Sequence, residues 1–189
     1  MSLTEQELVS RCKRADEEAL ELLFKKSAPF LFGICRRYLA GDNEAKDVFQ
    51  DGFVKIIEGI GRFEYRGEGS LKAWMSRVMI NQALNQLKIN RNSPVKSGIL
   101  VEDPSVEMSD IDEKELKQVS GSVLKGFLMQ LPDDYRIIFN MFVFEDLSHK
   151  EIASILGITE TASSTKLYRA KRMLAEMIRK YRNNDKGKR

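Results

Sequence analysis

Apolar residues recur at the spacing of an α-helix along almost the whole chain, and no stretch alternates β-branched with polar residues as a half-buried strand requires. An all-α fold follows. The clearest stripe is Ala45, Val48, Phe49, Phe53, Ile56, Ile57 and Ile60, one face of an amphipathic helix for which Asp42 and Asn43 are suitable N-caps. Before it, Asp16 is placed to cap a long helix through Leu20, Leu23, Phe24, Phe30, Leu31 and Ile34 to Leu39, with Pro29 expected to kink it and Gly41 to end it. A loop over residues 61–69 holds three glycines. Ser70 is then a candidate cap for a helix that buries Leu71, Trp74, Met75, Val78 and Met79 and turns Asn81, Asn85 and Lys88 outward.

The helical pattern lapses once. Over residues 91–110, Pro94, Gly98, Pro104 and several serines sit among acids, which predicts a flexible acidic linker. It separates a first small domain, 1–90, from a second, 111–182. In the second, helix resumes at Asp112, continues to Leu131, and restarts with Pro132 as the first residue of a helix through Ile137, Ile138, Met141, Phe142 and Phe144. With 42% hydrophobic residues among 189, the chain can fill two small cores. Residues 183–189 are expected to form a disordered basic tail.

The net charge of +3 conceals an asymmetry. Between Glu102 and Glu115 seven acids face Lys114 alone, whereas from Glu160 onward ten basic residues face Glu160, Glu176 and Asp185. A basic end of this kind suits a polyanion, or is a solvated helix face. No run approaches the roughly 18 apolar residues of a membrane span. The first residues include acids and no apolar signal core, so a cytoplasmic protein with no membrane partner is expected. Cys12 and Cys35 are the only cysteines and His149 the only histidine, too few for a closed zinc site or a disulfide framework. Free, packed thiols, no metal and no cofactor are the expectation.

The most informative segment is LSHKEIASILGITETASSTKLYRAKRML, residues 147–174. Ser148 and Glu151 stand at capping-box spacing, Ile152, Ile155 and Leu156 point inward, Ala153 lets a second helix pass close by, and Gly157 supplies a left-handed end. Ile158 plugs the corner, and Thr159 can cap a second helix with Leu167, Ala170, Leu174, Met177 and Ile178 on its buried side. Two helices joined by so short a turn fit a helix-turn-helix, whose second member enters the major groove of DNA. Its outward face is Ser164, Thr165, Tyr168, Arg169 and Arg172, able to meet base edges or phosphates, with Lys166 and Lys171 flanking it toward the backbone. The other reading is an ordinary helical hairpin with lysines on its surface.

This segment, with LPDDYRIIF before it, resembles the C-terminal domain of the extracytoplasmic-function sigma factors, small members of the sigma-70 family. In the N-terminal half, GDNEAKDVFQDGFVKII is similar to the family's core-polymerase-binding helix, and GRFEYRGEGSLKAWMSRVMINQALNQLK to its promoter-melting and −10-reading segment. The resemblance implies a DNA-binding subunit of bacterial RNA polymerase that directs transcription initiation and is not an enzyme by itself. Its implied partners are core RNA polymerase, promoter DNA and an anti-sigma protein. In that frame Asp47, Gln50 and Asp51 form a row of acceptors suited to a basic partner surface, although such a row is also what a solvated helix face looks like. Phe63 and Tyr65 beside Arg62 and Arg66 suit stacking of an unpaired base and holding of its phosphate, or are lids on the core. Lys72, Arg77, Asn81, Asn85 and Lys88 are placed to hold or read the strand near the −10 element, and Trp74 is assigned to the core.

The resemblance has departures. Ser163 and Ser164 stand where the family often has an apolar β-branched residue and then a basic one, so Ser163 is expected to weaken the local core and the −35 preference does not carry over. A stand-alone helix-turn-helix regulator with an N-terminal sensing or dimerisation domain is the alternative function. A helical adaptor on an acidic surface is another. An enzyme fits least, because no phosphate-binding glycine loop, nucleophile motif or paired acid and base is present.

Overall fold

The computed structural model describes residues 3–92 and 120–186, with side chains described for 3–88 and 120–183. Among the described residues there are only helices, turns and loops, and no helix is long and apolar enough to cross a membrane. The chain divides into two compact units, Met1–Gly98 and Ile99–Arg189.

The first unit opens with a helix the periodicity did not announce, α1 (Glu5–Lys13), started by a capping box in which Thr4 and Glu7 satisfy each other's backbone amides. A residue with positive φ, Ala15, turns the chain into α2 (Glu17–Tyr38), which Asp16 caps as expected by accepting from the Ala19 amide at 3.1 Å. The same carboxylate receives Arg11 at 2.8 Å and so ties α1 to the start of α2. Pro29 lies inside α2. Gly41 does not end that helix, which stops at Tyr38; it opens α3 (Asp42–Gly59) instead. Its extended backbone presents its carbonyl to the Ala45 amide at 2.9 Å, the role of an N-cap, so Asp42 becomes the first helical residue and no side chain caps this end. Asp42 is engaged elsewhere, with Arg36 at 3.3 Å.

A single 3-10 turn (Ile60–Arg62) and a loop, 63–69, lead into α4 (Ser70–Asn92). Helices α2, α3 and α4 pack mutually around Leu23, Leu31, Ile34, Tyr38, Ile56, Met75 and Met79, each nearly or fully buried. Burial of one such side chain stabilises the unit by about 1.5–3 kcal/mol. Cys12 and Cys35 are both buried free thiols, and burial pushes Cys35 up to about 12, which keeps it protonated and inert.

The second unit contains α5 (Gly121–Leu128), α6 (Asp133–Val143), α7 (His149–Leu156) and α8 (Glu160–Lys186). Ser120 caps α5 by accepting from Val123; the part of the expected helix over 112–119, like most of the expected linker, lies outside the described residues. Pro132 stands at the N-cap of α6 with ψ 144, one residue earlier than expected, and Phe144 is the C-cap rather than a helical residue. Helices α6 and α7 pack on α8 around Ile138, Phe139, Met141, Ile152, Leu167, Leu174 and Ile178. The tail expected from residue 183 is still helical through Lys186, because no glycine or proline interrupts the sequence before Gly187.

Candidate nucleic-acid interface

Helix α7 begins and ends as its sequence dictates. Ser148 and Glu151 form a complete capping box, and Gly157 closes the helix at φ 67. The Ile158 amide then donates to the Ala153 carbonyl at 3.1 Å, and the Thr159 hydroxyl accepts from the Ala162 amide at 3.1 Å to start α8. Ala153 is buried, and Ile155, Leu156, Ile158 and Met177 are half-buried. Ser163, expected to weaken this core, is fully buried but not orphaned: its hydroxyl pairs with His149 Nδ1 at 2.9 Å, while the imidazole stacks on Phe142. A small polar residue is tolerated there because a neighbouring helix supplies its partner.

The outer face of α8 is graded. Ser164, Thr165 and Arg172 are exposed, and Tyr168 and Arg169 half-buried at its edge. The two flanking lysines are engaged within the unit: Lys166 reaches Asp134 of α6 at 3.1 Å, and the Lys171 ammonium lies 5.7 Å from the centre of the Phe142 ring. Arg172 stands 4.0 Å from Glu176, one turn on.

In the first unit a cleft of about 530 Å³ opens beside the loop that precedes α4. Arg62, Arg66 and Arg77, all exposed, ring it; Phe63, Trp74, Ala73, Ser70 and Glu64 complete its lining. Phe63 is 7% exposed and its ring lies 5.0 Å from that of Trp74. The expected roles are therefore partly exchanged: Phe63 is largely a buried support, and Trp74, assigned to the core because it falls on the apolar stripe, is half-buried and reaches the cleft. Tyr65 is half-buried outside the lining, its phenol held above the usual range first by burial and then by the charges of Glu68 and Glu5. Arg66 is bridged to Glu64 at 3.2 Å, and Lys72 is exposed, 5.6 Å from the centre of the Phe30 ring. Asn81, Asn85 and Lys88 are exposed along α4, beyond the cleft.

On α3, Asp47, Gln50 and Asp51 lie on one face, and all three are exposed. Val54, which no polar pattern singles out, continues that face at 56% exposure. At its edge Phe49 and Phe53 form an aromatic ladder with Phe24 and Phe32, and Phe24 is also exposed.

Comparison with known proteins matches both units. Residues 23–92 match the family Sigma-70 region 2, and residues 124–174 match Sigma-70, region 4. The chain is 28% identical over 182 residues to the RNA polymerase sigma-H factor of Pseudomonas aeruginosa, covering 92% of this chain and 93% of that protein. It is also 28% identical over 184 residues to the ECF RNA polymerase sigma-E factor of Haemophilus influenzae, covering 93% and 96%. Among solved structures, the sigma factor RpoE from Bartonella quintana, crystallised with the anti-sigma factor NepR, shares the fold with a TM-score of 0.56 at 20% identity, over 84% of this chain and 96% of that one. CnrH, solved with the cytosolic domain of CnrY, does so at 0.54 and 19%, over 90% and 94%. Two matched segments in family order, on the helices that carry the cleft and the helix-turn-helix, identify the chain as an RNA polymerase sigma factor of the extracytoplasmic-function group of the sigma-70 family.

Proposed function

We propose a division of labour between the two units. Unit 1 docks on core RNA polymerase through Asp47, Gln50 and Asp51 and holds the melted strand near the −10 element at the arginine-ringed cleft, while the outer face of α8 reads the −35 element. What carries this assignment is the cleft itself: three exposed guanidinium groups around an indole and a phenyl ring, in a volume ordinary for a small-ligand site. Guanidinium groups pair with phosphates and aromatic faces stack on unpaired bases, and neither depends on sequence. Phe63 acts there by supporting Trp74, with Tyr65, Lys72, Asn81, Asn85 and Lys88 extending the contact along α4. In unit 2, Ser164, Thr165, Tyr168, Arg169 and Arg172 meet the major groove; Lys166 and Lys171 brace the helix and leave phosphate contacts to the exposed residues.

On this reading the protein acts by binding and not by catalysis, in the cytoplasm where polymerase and promoter are. An anti-sigma protein is a proposed third partner, in keeping with the company in which the Bartonella quintana relative was solved. The linker expected over 91–110 begins after α4, which still includes residues 91 and 92, and as proposed lets each unit reach its own DNA element.

The test is Asp47→Arg combined with Asp51→Arg. Both residues lie outside the apolar stripe, so helical circular dichroism should be retained while recovery of core polymerase is abolished. Normal recovery by the folded double variant refutes the docking face, and a chain that unfolds shows that these residues serve the fold.

A further inference from the structure

The loop over 63–69 ends in an open stretch around Gly67 and Gly69. A Cβ built on Gly67 or Gly69 would meet nothing within 4 Å, and both residues have positive φ, 110 and 84. Packing holds the start of the loop through Phe63 but not this glycine end, where hydrogen bonds decide the conformation. Within the loop, the Ser70 amide donates to the Gly67 carbonyl at 3.1 Å and the Ser70 hydroxyl accepts from the Arg66 amide at 3.2 Å. This hydroxyl faces back into the loop because Ser70 is already the first residue of α4, not its N-cap as its type suggested.

The amides at the helix start are satisfied from far away in sequence. Glu5, in α1, presents both carboxylate oxygens: Oε2 accepts from the Gly69 amide and Oε1 from the Leu71 amide, each at 3.1 Å. A carboxylate at this end also meets the positive pole of the helix. Helix α1 packs on the 3-10 turn Ile60–Arg62 as well, so one element grips both ends of the segment, turn and loop together, that carries Arg62, Phe63 and Arg66. The grip is itself anchored, by the Thr4–Glu7 capping box and by Arg11, which bridges Asp16 and Glu18 at 2.8 and 3.0 Å.

We propose that Glu5 is a positioning residue for strand binding, clamping the loop before α4 so that Arg62 and Arg66 stand ready at the cleft. This rests on the assignment of that cleft to the melted strand. The clamp has a second consequence. Free amides at a helix N-terminus attract phosphate, and a carboxylate bound there turns phosphate away. The strand's backbone is thereby left to the guanidinium groups. Helix α1 precedes the matched segment 23–92, so the clamp reaches into the family segment from a part of the chain outside it.

The experiment uses the full chain bound to core RNA polymerase, with the labelled non-template strand of a promoter that the wild-type holoenzyme transcribes as probe. Glu5→Ala should weaken strand binding about ten-fold, because the loop then spends less time in its competent form. Glu5→Gln, which keeps one acceptor, should fall between. Affinity for core polymerase should stay within about two-fold of wild type in both variants. In the full chain alone, hydrogen exchange at Gly69 and Leu71 should accelerate in Glu5→Ala. Faster exchange with unaltered strand binding would overturn the inference, and so would a parallel drop in polymerase and strand binding, which would make Glu5 part of the fold only. A separate control addresses the underlying assignment. If Arg62→Ala with Arg66→Ala leaves strand binding at the wild-type level, the cleft is not the strand site and the inference goes with it.

Discussion

At the scale of single residues, identity matters most where two helices meet. Gly52 is buried where α3 crosses α4, and a Cβ there would lie 2.7 Å from Met79 Sδ and 2.9 Å from its Cε. These are the end atoms of a flexible side chain, but Met79 is itself fully buried, so the thioether has to shift within the packed core. Gly52→Ala should therefore destabilise the first unit by about 1–3 kcal/mol, the usual cost of overpacking. Urea unfolding followed by circular dichroism measures it, and an unchanged midpoint would mean that Met79 repacks freely. Ser163 illustrates the opposite case. It looks like a defect in the apolar row of α8, yet His149 makes it a satisfied buried polar group.

At the scale of elements, α1 is held by carboxylates and should be the first helix to respond to acid. Glu7 is kept below the ordinary carboxylate range of 4.5 first by the Thr4 backbone amide and then by the Thr4 hydroxyl. Asp16 is kept below 3.8 first by Arg11 and then by the Ala19 amide. A carboxylate depressed in the folded state contributes stability that is complete above its unfolded value and is lost as pH falls through the folded one. Lowering the pH from about 5 to about 3 should therefore loosen α1, and with it the turn into α2, before the middle of α2. Amide exchange resolved by residue tests this. Simultaneous loss of protection along α1 and mid-α2 would show that the acid response belongs to the whole unit rather than to these caps. The helix-turn-helix is built differently, since its corner depends on Gly157 in a left-handed conformation and on no charge at that point.

Across the molecule as a whole, charge and base reading should separate. Arg179 and Lys180 are exposed on α8 two turns and more beyond the recognition face, where a DNA contact would be to phosphate. Replacing both by Ala should weaken polymerase-supported binding to all promoters alike and flatten its logarithmic salt dependence by about 0.9 for each phosphate no longer neutralised. Arg169→Ala should instead cost about 1–3 kcal/mol on a preferred upstream element and much less on a scrambled one. Binding to matched and scrambled elements across a salt series distinguishes the two. Equal weakening on both DNAs for Arg169→Ala would make it a backbone anchor and remove it from base reading.

Legible in the residues alone is whatever depends on neighbours within a helical turn or two. The apolar stripes of α2, α3, α4 and α8, the Asp16 cap, the Ser148–Glu151 box and the Gly157 turn all rest on interactions three or four residues apart, which any helix of that sequence makes. Their order along the chain is also what made the family resemblance legible. Tertiary packing settled which distant group each side chain meets: Glu5 with the amides of Gly69 and Leu71, Lys166 with Asp134, Ser163 with His149, and Trp74 at the cleft rather than sealed in the core. The hydrogen-bonded and ion pairs among these join residues 14 to 66 apart in the chain, and no local pattern encodes them. Helix formation is a short-range hydrogen-bonding problem, whereas pairing across elements is fixed only when the packed helices bring particular side chains to one place.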